Sequence, residues 1–88
     1  MGRIVTSIKI LPEDIIIKLD QIKEDIKKSL PKTCQIHKFV EEPIAFGLVA
    51  LIAHIIIPES EGQLDKVETI LKQVKGVGQI EVLMVRRI

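Results

Sequence analysis

Cysteine is nearly absent from this chain of 88 residues, in which Cys34 stands alone. A single thiol forms no internal disulfide and offers no cysteine pair to a metal. Small secreted domains usually need such cross-links because their hydrophobic cores are limited. The sequence therefore predicts an intracellular, reducing compartment, the cytoplasm, with Cys34 as a small core residue.

Aromatic residues, asparagine and net charge are also scarce. Phe39 and Phe46 are the only Phe, Tyr or Trp residues, asparagine is missing, and 13 Lys and Arg against 12 Asp and Glu leave a net charge of +1. An RNA-recognition module needs exposed aromatic rings and a positive excess, so we expect no direct nucleic-acid partner. A metallochaperone, which needs a cysteine pair, and an acylphosphatase-like enzyme, which needs asparagine, are excluded by composition.

Features that mark membrane proteins are missing as well. The longest apolar stretch, Ile44–Ile57, is interrupted by Gly47 and His54. It is shorter than the roughly 20 apolar residues that cross a bilayer as a helix, so we interpret it as a buried strand. The beginning of the chain turns polar at Thr6 and lacks the apolar run of a signal peptide. We expect no membrane partner.

Catalytic and metal-binding patterns are equally sparse. His37 and His54 fall on different predicted strands without a third donor, which predicts no metal site. Glu41 and Glu42 are neighbours in sequence, so their side chains are expected to point apart rather than act as an acid–base pair. We expect His54 to be hydrogen-bonded or at a sheet edge, and we expect neither a cofactor nor an enzymatic reaction.

The hydrophobic periodicity predicts six elements. Strands are predicted at about 3–11, 34–40, 44–57 and 79–87, and helices at about 16–30 and 62–75, with Glu41–Pro43 as a turn. In the second strand the alternation places Cys34, Ile36 and Val40 on one face. In the last strand it places Ile80, Val82 and Met84 on one face.

This order, strand–helix–strand–strand–helix–strand, is typical of a ferredoxin-like α+β sandwich. Its four-stranded antiparallel sheet carries two helices on one face. Right-handed connections place the first and third strands in the centre of the sheet. The third strand is apolar on both faces, as a central strand should be. The other sheet face is left partly bare, which leaves open whether side chains or a partner cover it.

Several segments together resemble a known family. They are Ile8–Glu13, Ile22–Lys28, Glu41–Leu48 with its Pro-Ile-Ala-Phe-Gly-Leu sequence, Ile80–Val82 and Val85–Ile88. In this order and at this chain length they resemble the guanine-nucleotide exchange domain family of archaeal elongation factor 1-beta, and the resemblance covers residues 1–88 as a single domain. It implies a protein that promotes GDP release and GTP loading on elongation factor 1-alpha without making or breaking a covalent bond.

The resemblance also implies which residues contact the GTPase. Arg87, followed by Ile88, matches the family's basic residue that enters the Mg²⁺ and phosphate site. Phe46 matches the family's aromatic contact, and Gly47 lets a backbone approach closely. The residue types alone leave alternatives open: Phe46 packed in the core with Gly47 as a bulge, and Arg86 and Arg87 as a solvated pair. A possible interface rim comprises Lys38, Glu41, Glu42 and Arg86.

A second class of function fits the same pattern. A small ferredoxin-like regulatory or oligomerisation module would use the edge strands or the bare sheet face to bind a partner. It would form an oligomer and would not bind the GTPase, whereas we expect the exchange factor to be a monomer when free.

Overall fold

The computed structural model describes residues 2–88 and shows the six expected elements in one sandwich. Their bounds are β1 Arg3–Pro12, α1 Leu19–Ser29, β2 Gln35–Pro43, β3 Val49–Pro58, α2 Gln63–Gln73 and β4 Val77–Arg87. All paired strands are antiparallel and lie in the order β2-β3-β1-β4. The predicted fold, with the first and third strands central, is confirmed. No helix of residues 2–88 is long and apolar enough to cross a membrane.

The hydrophobic core lies between the sheet and the two helices. The central strands contribute alternate residues that are completely buried, and the helices contribute the residues of their apolar stripes. The core members from these four elements are Ile8, Ile10, Leu51, Ala53, Ile55, Ile57, Ile22, Ile26, Val67 and Leu71. Each fully buried Ile, Leu or Val stabilises the fold by about 1.5–3 kcal/mol. Both helices therefore cover the same sheet face, and the opposite face is open.

A β-bulge interrupts β2. Ile36 pairs with Ile55 and Lys38 pairs with His54, which leaves His37 as the extra residue. A bulge inverts the alternation of side chains beyond it. Phe39 therefore packs against the core, and Val40 is 39% exposed. The prediction that Ile36 and Val40 share a face was wrong for this reason.

A second bulge interrupts β4. Ser7 pairs with Met84 while Ile8 pairs with Val82, so Leu83 is the extra residue. Met84 consequently lies on the open face, and the prediction that it shares a face with Ile80 and Val82 was wrong. The bulge also determines the direction of the last two arginines. Arg86 pairs with Val5 on the open face, and Arg87 pairs with Ile4 on the helix-covered face.

Several element ends differ from the sequence prediction. Helix α1 begins at Leu19 rather than near residue 16, because residues 14–17 form a turn in which Ile17 N–H donates to Asp14 O at 3.3 Å. Glu41–Pro43 belongs to β2 instead of forming the turn, and β3 begins only at Val49. Helix α2 ends at Gln73, and Gly76, with φ of +92°, lies in the following turn.

Candidate partner-binding site

The β2–β3 hairpin turn places Phe46 at its tip. Leu48 N–H donates to Ala45 O at 3.2 Å, and Ile44 N–H donates to Leu48 O at 2.9 Å. The two central residues, Phe46 and Gly47, have φ of +60° and +78°. Positive φ at both central positions is the signature of a type I′ turn, which matches the twist of a hairpin and favours Asn-Gly.

Phe46 is an unusual residue for this position. Its φ is strained for a residue with a Cβ, and the residue is 95% exposed. The alternative of a ring packed in the core is therefore wrong, and Gly47 is a turn residue rather than a bulge. A strained backbone that presents an exposed aromatic ring is a combination that occurs at binding sites.

The opposite end of the sheet presents Arg87. Strand β4 stays hydrogen-bonded to β1 as far as residue 88, because Ile88 N–H donates to Arg3 O at 3.1 Å. The Arg87 side chain is 83% exposed and forms an ion pair with the Glu59 carboxylate through Nε. Glu61 and Asp65 lie in the same shallow depression, so the surroundings of this cation are acidic. Arg87 is thus a solvated side chain that also has one acidic partner, and its role at the GTPase stays a prediction.

Sequence reasoning missed Glu59 as a partner of Arg87. The residue follows Pro58, which ends β3 and pairs with Arg3 at the beginning of β1. Since Ile4 pairs with both Ile57 and Arg87, Glu59 had to lie near the end of β4 once the sheet order was known. The strand register is the signal that identifies this partner, and the register cannot be read from the sequence alone.

Arg86 and Lys38 lie on the open sheet face. They line a groove of about 400 Å³ together with His37, His54, Val5, Ile56, Met84 and Ile88. Ile88 itself is 64% exposed. The groove joins cationic and apolar groups at the end of the sheet that carries Ile88.

His54 lies at the base of this groove. Ser7, only 4% exposed, places its Oγ 2.7 Å from His54 Nδ1. Burial lowers the pKa of His54, and the charges of Lys38 and His37 lower it further. The prediction of a hydrogen-bonded histidine is confirmed, although His54 lies on a central strand rather than at an edge. Within residues 2–88 no cluster of three His, Cys, Asp or Glu residues is placed to hold a metal ion.

Glu41 and Glu42 both lie in β2 and have separate partners. Glu41 Oε2 accepts from Lys23 Nζ at 2.9 Å, and Glu42 Oε1 lies 3.6 Å from Lys9 Nζ. The hydrogen bond to Glu41 raises the pKa of Lys23, against an opposing effect of desolvation. The two carboxylates point to opposite sheet faces, as expected for neighbours in a strand.

The proposed contact residues thus form two groups at opposite ends of the domain. Phe46 and Gly47 lie beyond Val49, whereas Arg87 is level with Ile57 at the other end of β3. At about 3.3 Å per strand residue, the part of β3 between them spans about 26 Å. The domain is 42 Å long in its largest dimension. Lys38 and Arg86 belong to the Arg87 end, and Glu41 and Glu42 to the Phe46 end.

Solved structures place the fold among ferredoxin-like domains. The solution structure of the ACT domain from GTP pyrophosphokinase of Chlorobium tepidum is similar with a TM-score of 0.68 and 21% identity, over 92% of this chain and 86% of that chain. The C-terminal domain of the MgtC protein from Mycobacterium tuberculosis matches with a TM-score of 0.54 and 12% identity, over 94% of this chain and 86% of that one. At these identities the likeness defines the fold class and nothing further.

Sequence comparison defines the family. The EF-1 guanine nucleotide exchange domain matches residues 5–88. Elongation factor 1-beta of Staphylothermus marinus is 45% identical over 89 residues, and that of Methanothermobacter thermautotrophicus is 41% identical over 88; each match covers 100% of this chain and 99% of the relative. Elongation factor 1-beta of Methanosarcina acetivorans is 43% identical, with 100% of both chains covered. This chain belongs to the EF-1 guanine nucleotide exchange domain family.

Proposed function

We propose that this protein is a guanine-nucleotide exchange factor that promotes GDP release and GTP loading on elongation factor 1-alpha. The observation that carries the proposal is the match of the exchange domain to residues 5–88, together with relatives named elongation factor 1-beta that align over their full length. The regulatory-module alternative is not favoured, because its support is a fold shared by proteins of many functions.

Arg87 is the residue that we propose to act on the nucleotide site. GTPases hold their nucleotide partly through a Mg²⁺ ion that bridges phosphate oxygens. Mg²⁺ demands near-octahedral coordination, so a cation brought beside it displaces the metal or its ligands. Arg87 is suited to this role because it ends a strand and its side chain is 83% exposed. Its planar guanidinium is bulkier than the ammonium of lysine, which favours a shallower insertion.

The ion pair between Arg87 and Glu59 must open before Arg87 can enter the nucleotide site. The Glu59 carboxylate repels phosphate, so Arg87 must leave it before the guanidinium enters the nucleotide site. Exposed ion pairs contribute only about 0–1 kcal/mol. Release of Arg87 therefore costs little compared with the binding energy of a protein–protein contact.

Phe46 is the proposed anchor at the other end of the domain. An aromatic ring that fills a pocket of the partner contributes about 2 kcal/mol or more. Because Phe46 and Arg87 are separated by most of the length of β3, the two groups contact separate places on the GTPase. A stiff sheet between them fixes that separation, so binding at Phe46 positions Arg87.

Contacts of this kind can supply the free energy that faster GDP release requires. A thousandfold acceleration of GDP release needs about 4 kcal/mol of barrier reduction. The factor must also bind the nucleotide-free GTPase more tightly than the GDP-bound form, since equal affinity shifts no equilibrium. We place the activity in the cytoplasm, in a single exchange domain that acts on the GTPase directly.

The test is release of a fluorescent GDP analogue from purified elongation factor 1-alpha with catalytic amounts of this protein. We expect dose-dependent acceleration, and we expect Arg87→Ala to lower the maximal rate more than it weakens binding. Arg86→Ala is the matched control, since it removes an adjacent cation that points to the other sheet face. Equal losses in the two variants would contradict the role of Arg87, and a wild-type protein without effect would contradict the proposed function.

A further inference from the structure

The β1–α1 connection ends in a turn with two isoleucines at its centre. Ile17 N–H donates to Asp14 O, which makes Ile15 and Ile16 the central residues. They are 61% and 79% exposed. Turn centres usually hold Gly, Pro, Asn, Asp or Ser, each of which has a conformational reason to be there. Two exposed β-branched apolar residues have no such reason, and more than half of each side chain stays outside the core of the domain.

This turn is fixed to the body of the domain. Glu13 N–H donates to Gly76 O at 2.8 Å on one side of it. On the other side, Ile17 is half-buried and packs against the core. The backbone is therefore held at both ends, and the isoleucine side chains are presented in a defined position.

The same turn lies beside the hairpin turn that carries Phe46. The Cγ2 atom of Ile15 is 3.9 Å from the position that a Cβ would occupy on Gly47, which is ordinary van der Waals distance. Ile15, Ile16 and Phe46, here called the apolar tip, therefore lie at one end of the sheet. Of the exposed large apolar residues in the described part of the chain, Phe46 and Ile16 have the two highest exposures.

We propose that Ile15 and Ile16 form, with Phe46, one continuous apolar contact with elongation factor 1-alpha. This inference rests on the proposed function and assigns to it two residues of the β1–α1 turn. The members of the apolar tip are exposed residues of two turns, so we expect the GTPase to offer an apolar pocket for them. The exposed carboxylates of Glu13 and Asp14 stand next to the tip and favour basic groups around that pocket.

The size of the tip favours the GTPase over a second copy of this chain. A buried aromatic side chain removes about 150–250 Å² from water, and isoleucines remove less. Three such side chains together supply less than the roughly 800 Å² that each partner buries in a stable complex. A tip-to-tip dimer would place the Arg87 end of the domain, about 26 Å away along β3, outside the contact. A complex with the GTPase would add the Arg87 end of the domain as a second contact.

The experiment titrates the double variant Ile15→Ser/Ile16→Ser in the GDP-release assay. We expect the half-saturating concentration to rise about tenfold, with the maximal rate at saturation retained, because the tip binds and Arg87 acts. The matched control is Val40→Ser/Leu83→Ser, which removes two apolar residues that are 39% and 47% exposed. Val40 pairs with Ile52 and Leu83 is the bulge residue beside Ser7 and Ile8, so both lie in strands of the sheet and not in the two turns of the tip. We expect the control to titrate as the wild type does.

Each outcome decides a different point. An unchanged half-saturating concentration in the tip variant, with an active wild type, overturns this inference and leaves the proposed function standing. A wild type that does not accelerate release overturns both. Sedimentation that shows a wild-type dimer and a monomeric tip variant assigns the tip to self-association and overturns the inference. If the double variant has a lowered thermal midpoint, Ile16→Ser alone is titrated, since Ile16 is the more exposed residue.

Discussion

Phe46→Asn should make the fold more stable and the exchange factor weaker. The native backbone holds Phe46 at φ of +60°, a conformation that asparagine tolerates better than most residues. With Gly47 it would give the Asn-Gly pair that type I′ turns favour. Almost no burial is lost, because Phe46 is already 95% exposed.

The two effects have calculable sizes. Left-handed backbone costs an ordinary residue about 1–2 kcal/mol, and asparagine recovers part of this, so we expect about 1 kcal/mol of added stability. For a domain of this size that raises the thermal midpoint by about 4–8 °C. Loss of an anchor worth about 2 kcal/mol raises the half-saturating concentration in the exchange assay about 30-fold.

Calorimetry and the GDP-release titration measure these effects on the same preparation. Ala45→Asn is the matched control, since it introduces the same side chain at the neighbouring exposed turn residue and keeps the ring. A lower thermal midpoint would refute the strain argument. An unchanged titration would remove Phe46 from the contact, whatever its effect on stability.

Two further predictions concern Glu59 and His54. Glu59→Gln removes the counterion of Arg87, so we expect the variant to accelerate GDP release at low salt up to about fivefold more than the wild type does. Glu61→Gln is the control with a smaller expected effect, and high salt should reduce the difference between variant and wild type. Slower GDP release in Glu59→Gln would show that Glu59 orients Arg87 instead. His54 has a lowered pKa in the folded state, from burial first and then from Lys38 and His37, so the unfolded chain binds the proton more readily. Its contribution to stability is therefore complete above its ordinary pKa of 6.5 and is lost as the pH falls below that value. We expect urea denaturation between pH 7.5 and 5.5 to show a smaller stability loss in His54→Gln than in the wild type, and an equal loss would contradict the assignment.

The sequence by itself determined the order of the elements and the composition of the core. Isoleucines and valines at two-residue spacing, with helices whose apolar stripes recur at three and four residues, allow few arrangements other than the observed sandwich. The Pro-Ile-Ala-Phe-Gly-Leu segment drew attention to Phe46 and Gly47 through its resemblance to the exchange-domain family, while the residue types alone left a core position for Phe46 open. Each of these signals is local, so one stretch of chain was sufficient to show it.

Only the tertiary structure decided where the functional side chains point and what lies beside them. The bulge at Leu83 arises from pairing with β1, and without it Arg86 and Arg87 would exchange faces. The Glu59 ion pair and the contact of Ile15 with the Phe46 turn join residues that are distant in sequence. Strand register and turn packing are set by how the elements fit together, because alternation within a strand is equally satisfied by either face.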